Sequence, residues 1–156
     1  MKQSHFFSRS VVIILGFICL LGMFGCTKQK ILDCRGKPVK LSEYKGKWIL
    51  VNYWANWCEP CMKELPALNQ FYQQHTDKIM VLGVNFDSLS DQEIDRFSQK
   101  MNISFPMLSH FPAESYGLTS ISALPVSLLF SPEGKFVKVL YGPQTARSLS
   151  KETGIS

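Results

Sequence analysis

The chain has 156 residues, which suits one ordinary domain and hardly two. With 46% hydrophobic and 19% charged residues it can close an apolar core, so an intrinsically disordered chain is excluded. Setting aside Lys2 and Arg9 of the N-terminal segment lowers the formal charge from +5 to +3, and the remaining charges are mixed along the chain, which argues against a nucleic-acid surface.

The chain opens on a basic stretch and then runs apolar without a break over residues 11–25, VVIILGFICLLGMFG. That length suits the apolar region of a signal peptide; a full membrane span needs about 20 residues. The run ends at Gly25-Cys26. A small residue before a cysteine resembles the lipobox of bacterial lipoproteins, where cleavage leaves a lipidated N-terminal cysteine. Met23 and Phe24 depart from that motif, which has an aliphatic and then a small residue. Three outcomes stay open: a lipoprotein held through Cys26, an uncleaved short anchor, and a released protein. Each puts the domain outside the cytoplasm, where disulfides persist. The chain then divides into residues 1–25 as signal peptide or anchor, 26–30 as tether and 31–156 as folded domain.

Residues 31–47 carry Gly36 and Gly46 as turn points and read as a short hairpin or edge segment. Residues 48–55, WILVNYWA, are apolar almost throughout, as in a strand buried on both faces. Cys61, Leu65, Leu68 and Tyr72 then recur at helical spacing, which predicts a helix over residues 59–75 with a kink at Pro66. Residues 79–86, IMVLGVNF, form a second buried strand and complete a βαβ unit. Ser90 with Glu93 makes a capping box for another helix, whose buried stripe is Ile94, Phe97 and Met101. A short strand over 105–108 follows. Strands at 126–130 and 135–141 flank the turn SPEG and read as an antiparallel hairpin. The tail, 144–156, reads as a short fraying helix. The fold class is α/β, with parallel strands first and an antiparallel hairpin last.

Cys58 and Cys61 stand three residues apart at the start of the first helix, on one face of it. Three chemistries compete for such a pair. A zinc site wants four ligands, and there is no second C-x-x-C; His75 and His110 are isolated in sequence. A permanent staple closing so short a loop stabilises little. A cycling redox pair fits best. A sulfur at the helix start lies beside unpaired N–H groups and the positive dipole end, which favour the thiolate. Cys58 is then the exposed nucleophile that attacks a partner's disulfide. Cys61, one turn in, is the shielded thiol that resolves the mixed disulfide. Pro60 suits the first turn but removes one donor that would stabilise the thiolate. Potentials of such pairs span about −270 to −120 mV, roughly 7 kcal/mol. Trp54 and Tyr53 read as core.

"WANWCEPC" after a buried strand, a helix containing Pro66, Gly46-Lys47 before that strand, a "GVN" strand end and "ALPVSLLF" resemble the thioredoxin fold. The similarity is to the TlpA/ResA-like membrane-tethered thiol-disulfide oxidoreductases, over about residues 31–142. The resemblance implies a central mixed sheet flanked by helices, an N-terminal hairpin segment and a helical insert over about residues 87–108. It implies a cis bond between Leu124 and Pro125, in a loop facing the cysteines whose backbone pairs with substrate. It puts Glu64 where a carboxylate influences the acid–base behaviour of the cysteines; a partly buried carboxyl has a raised pKa and can take the resolving thiol's proton. A solvated Glu64 paired to a lysine is the plainer alternative. Trp57 and Leu124 are expected to dock substrate.

This chain departs from the family at His110-Phe111-Pro112, which replaces an Asp of many relatives, and at Cys34. Cys34 is left as a buried inert thiol, a partner of unmodified Cys26, or an exposed reactive thiol. The implied partners are exported cysteine-containing proteins, apocytochrome c among them, and a membrane thiol reductant as electron donor. The implied location is extracytoplasmic, on the periplasmic side and membrane-anchored. No cofactor and no metal are called for. The rival readings are a copper-handling module, since two thiolates suit Cu(I), and a disulfide oxidant. A peroxidase would lack the usual Thr–Cys spacing.

Overall fold

The computed structural model describes residues 30–118 and 120–156. The signal or anchor segment, the tether and Cys26 lie outside the described residues. The described chain begins with two short strands, β1 (Ile31–Leu32) and β2 (Pro38–Val39), paired antiparallel with Ile31 opposite Val39. Gly36 turns between them at φ +75°, a left-handed conformation in which a Cβ is strained. A 3-10 turn at Leu41–Tyr44, unforeseen from the sequence, leads into β3.

The main sheet has five strands in the order β5-β4-β3-β6-β7. They are β3 (Trp48–Trp54), β4 (Ile79–Asn85), β5 (Met107–Leu108), β6 (Val126–Phe130) and β7 (Phe136–Tyr141). β3, β4 and β5 are parallel, while β6 runs antiparallel to both β3 and β7. β3 and β4 are buried almost throughout, which explains their unbroken apolar sequence. β5 keeps only two residues of the four expected, because Gly83 and Val84 alone pair with it.

The helices are α1 (Glu59–Gln74), α2 (Asp91–Lys100) and α3 (Ala146–Thr153). The crossovers β3-α1-β4 and β4-α2-β5 step across the sheet in the same direction. A right-handed hand for both puts their helices on one face. All three helices indeed deliver buried side chains to one apolar cluster with Leu50 and Trp54: Leu65, Leu68 and Phe71 from α1, Ile94 from α2 and Leu149 from α3. The other face is closed by the N-terminal hairpin and a 3-10 turn at Ala113–Tyr116, through Val39, Phe111 and Ala113. Tyr53 and Trp54 are core, as expected.

α1 runs continuously through Pro66. α2 carries the expected capping box, with Ser90 Oγ accepting from the Glu93 N–H. Its stripe shifts slightly: Ile94 and Ser98 are buried, while Phe97 stacks on Trp54 at 4.3 Å. α3 differs from the fraying tail expected. Thr145 and Ser148 cap its start reciprocally, Gly154 closes its end, and Leu149 and Ile155 are buried. Among the described residues, no helix is long and apolar enough to cross a membrane.

Candidate active site

β3 ends at Trp54, and four residues later the chain enters α1. Cys58 is the N-cap of that helix and Cys61 lies one turn in. The two form a disulfide, with Cα atoms 5.3 Å apart. The Cys61 N–H donates to Cys58 Sγ at 3.2 Å. This is an orphan donor of the helix start turned onto sulfur, so it favours negative charge there. Pro60, at the second helical position, offers no such donor. The first helical residue, Glu59, turns its carboxylate to Lys63 at 2.6 Å, an exposed pair along the helix.

The expected exposure of Cys58 needs correction. Its residue is only 4% exposed, against 0% for Cys61. The order expected between the two survives, but both are enclosed in the disulfide form, because Cys58 turns inward to bond Cys61. Trp57 instead is the exposed member, at 65%. Its indole N–H donates to Asp87 at 2.8 Å, and its ring meets Phe86 edge to face at 6.5 Å. Phe86 and Asp87 escaped the sequence reading; nothing local distinguishes them from an ordinary strand end. The Leu124–Pro125 bond is cis, with Leu124 half-buried and Pro125 buried.

Glu64 is 2% exposed, so the solvated alternative falls. It faces the same side of α1 as Cys61, three residues on. Its Oε1 accepts from the Gln144 backbone N–H at 2.7 Å, and its Oε2 accepts from Asn52 Nδ2 at 3.2 Å. Burial pushes its carboxyl up to about 7; the hydrogen bonds from Gln144 and Asn52 pull it down and do not cancel that effect. Asn52 also donates to Ser127 Oγ at 3.0 Å, across the β3–β6 pair in which the two residues are opposite. The buried polar group therefore spans β3, α1, β6 and the segment before α3. A lone Asn inside WILVNYW was a readable signal of a buried polar partner.

Cys34 is half-buried and lines a cavity of about 430 Å³ with Tyr44, Tyr72, Met80 and Phe105, beneath the N-terminal hairpin. Its own burial, then Asp95 and Asp33, push its thiol up to about 11, with Arg35 opposing. His110 lines a smaller cavity of about 190 Å³ beside Asn85 and Phe86. His75 caps the end of α1 and packs on Phe71 at 4.7 Å. Among the described residues, no three His, Cys, Asp or Glu side chains group as metal ligands.

Residues 17–139 match the AhpC/TSA family. A thiol-disulfide oxidoreductase ResA from Bacillus cereus is 27% identical over 166 aligned residues, covering 96% of this chain and 95% of that protein. The ResA of Bacillus subtilis is 34% identical over 114 residues, covering 72% of this chain and 63% of that protein. Among solved structures, StoA from Bacillus subtilis superposes with a TM-score of 0.63 at 28% identity, covering 79% of this chain and 93% of that one. With a helix-start disulfide, a cis-proline loop and a five-stranded mixed sheet already in place, the chain belongs to the AhpC/TSA family and is a thioredoxin-fold thiol-disulfide oxidoreductase of the ResA/StoA type.

Proposed function

We propose that the protein is an extracytoplasmic, membrane-tethered reductant of disulfides in exported proteins. The observation that carries this reading is the asymmetry of the pair. Cys58 sits at a helix start with an N–H on its sulfur, and Cys61 lies fully enclosed with a buried carboxyl, Glu64, three residues on along the helix. In the reduced form, the Cys58 thiolate attacks one sulfur of the partner's disulfide. A mixed disulfide forms and one partner thiolate leaves. Cys61 passes its proton to Glu64 and, as thiolate, attacks Cys58 Sγ. The second partner thiolate leaves, and two electrons have moved from Cys58–Cys61 to the partner. A membrane thiol reductant returns them. Trp57, Leu124 and the loop at Pro125 dock the partner chain, and Cys26 carries the lipid that tethers residues 31–156. The paired cysteines of apocytochrome c are the substrate class the ResA likeness suggests.

The test combines trapping with a redox titration. Cys61→Ser should accumulate a mixed disulfide with substrate through Cys58, while Cys58→Ser should neither trap nor turn over. The titrated potential should lie near that of thioredoxin, about −270 mV. Equal trapping by both variants would contradict the assigned roles. A potential near −120 mV, on the order of that of DsbA, would make the protein an oxidant instead.

A further inference from the structure

Among the described residues, Asn52 is the one sheet side chain that hydrogen-bonds Glu64. It is fully enclosed in β3. Both its amide hydrogens are committed, one to Glu64 Oε2 and one to Ser127 Oγ. Its carbonyl, Oδ1, is just as enclosed and meets no hydrogen-bond partner among the described residues. A buried polar group is normally paired, so an amide satisfied at one end and orphaned at the other asks for a reason.

Rotation of the amide by half a turn about its last torsion fills the same volume. Oδ1, with two lone pairs, then faces both Glu64 and Ser127. The Ser127 hydroxyl donates as readily as it accepts. Glu64 donates only when it holds a proton. That proton has one available position. Oε1 is taken by the Gln144 backbone N–H, which can only donate, so the proton belongs on Oε2, facing Asn52. Around Glu64, β3, β6 and the segment before α3 bring the neutral groups Asn52, Ser127 and Gln144. Its own helix brings Cys58 and Cys61, and Glu59 with Lys63 paired at the surface.

We propose that Asn52 is a positioning residue that turns its amide with the proton on Glu64, presenting NH₂ to the carboxylate and C=O to the carboxylic acid. The inference rests on Glu64 receiving the proton of Cys61. Each orientation leaves one end of the amide unpaired, the carbonyl in the first and the two N–H groups in the second, so the amide is pinned only from the side of Glu64 and Ser127. Glu64 therefore finds a hydrogen-bonding partner before and after it accepts a proton. A fixed donor would hold the carboxylate and resist that step.

The experiment is nuclear magnetic resonance of the oxidised full chain in detergent, labelled at Asn and Glu, between pH 5 and 9. Above the Glu64 midpoint, the Asn52 NH₂ protons should show Overhauser contacts to Glu64 and Ser127. Below it those contacts should vanish, with the same midpoint as the Glu64 carboxyl carbon. Glu64→Gln imitates the acid, since its NH₂ must donate to Asn52 while its carbonyl accepts from Gln144. In that variant the low-pH pattern of Asn52 should hold at every pH. Loss of a fixed donor in Asn52→Leu would raise the Glu64 midpoint by about one unit or more; a turning amide supports both forms, so the shift should stay under about threefold in acidity. Asn52 contacts that persist across the Glu64 titration, or a high-pH pattern in Glu64→Gln, would overturn the inference while leaving Glu64 its role. Full activity with an unchanged pH profile in Glu64→Gln would remove the role of Glu64 itself, and the inference with it.

Discussion

Burial makes Glu64 hold its proton more tightly in the folded chain, at about 7, than the ordinary value of 4.5 for an open carboxyl. Below pH 4.5 both states are protonated and this preference contributes its full stability; the contribution is lost as pH rises through 7. The unfolding free energy should therefore fall across that window by on the order of 3 kcal/mol, at about 1.4 kcal/mol per unit. Glu64→Gln should flatten the decline, and guanidinium unfolding at pH 5 and pH 8 measures both. Cys34 gives a second prediction of this size. With its thiol near 11 rather than 9, its thiolate at pH 8 is scarcer by about a hundredfold, and iodoacetamide should label it correspondingly slowly. The raised value supports the inert reading of this cysteine over the reactive one. Residues also mark where sequence reading reached its limit. Glu64 was legible as a carboxyl one turn past Cys61. Its anchor was not, because the Gln144 N–H that fixes Oε1 lies 80 residues away.

The first turn of α1 sets the chemistry at the scale of an element. The first four N–H groups of a helix have no partner within it and are free to meet an anion, and Pro60 removes one of them. Pro60→Ala returns that donor to the edge of the Cys58 sulfur. The Cys58 thiolate should then be favoured, its pKa lower and the potential of the pair higher by tens of millivolts, 30 mV corresponding to about 1.4 kcal/mol. Equilibration with glutathione buffers measures the shift; an unchanged or lower potential would mean that the helix start does not control the sulfur. The elements themselves were readable where one signal dominates. β3 and β4 followed from unbroken apolar runs, α1 from its stripe and α2 from Ser90 and Glu93. The 3-10 turns at Leu41–Tyr44 and Ala113–Tyr116 were not, since turns that short leave no periodicity to read. The extent of β5 was equally hidden, as a strand's length there depends on how much of β4 it meets.

At the scale of the molecule, the anchor proposal makes its own prediction. The full chain expressed in a bacterium should fractionate with membranes and incorporate radiolabelled palmitate, and Cys26→Ser should abolish the label. Retention of the label in that variant would refute lipidation at Cys26. The sheet order carries a further consequence. Cys58 and Cys61 belong to the first βαβ unit, whereas β6, with Ser127, and the segment with Gln144 arrive only at the end of the chain. A polypeptide leaving the ribosome amino end first, or threading through a translocon, thus presents both thiols long before the closing hairpin seats itself. Until then Glu64 has neither its backbone clamp nor a dry enclosure, and behaves as an ordinary acidic side chain. The disulfide pair acquires its finished surroundings only at the last step of maturation, so chain termination upstream of Gln144 leaves both thiols beside a Glu64 that is neither clamped nor dried.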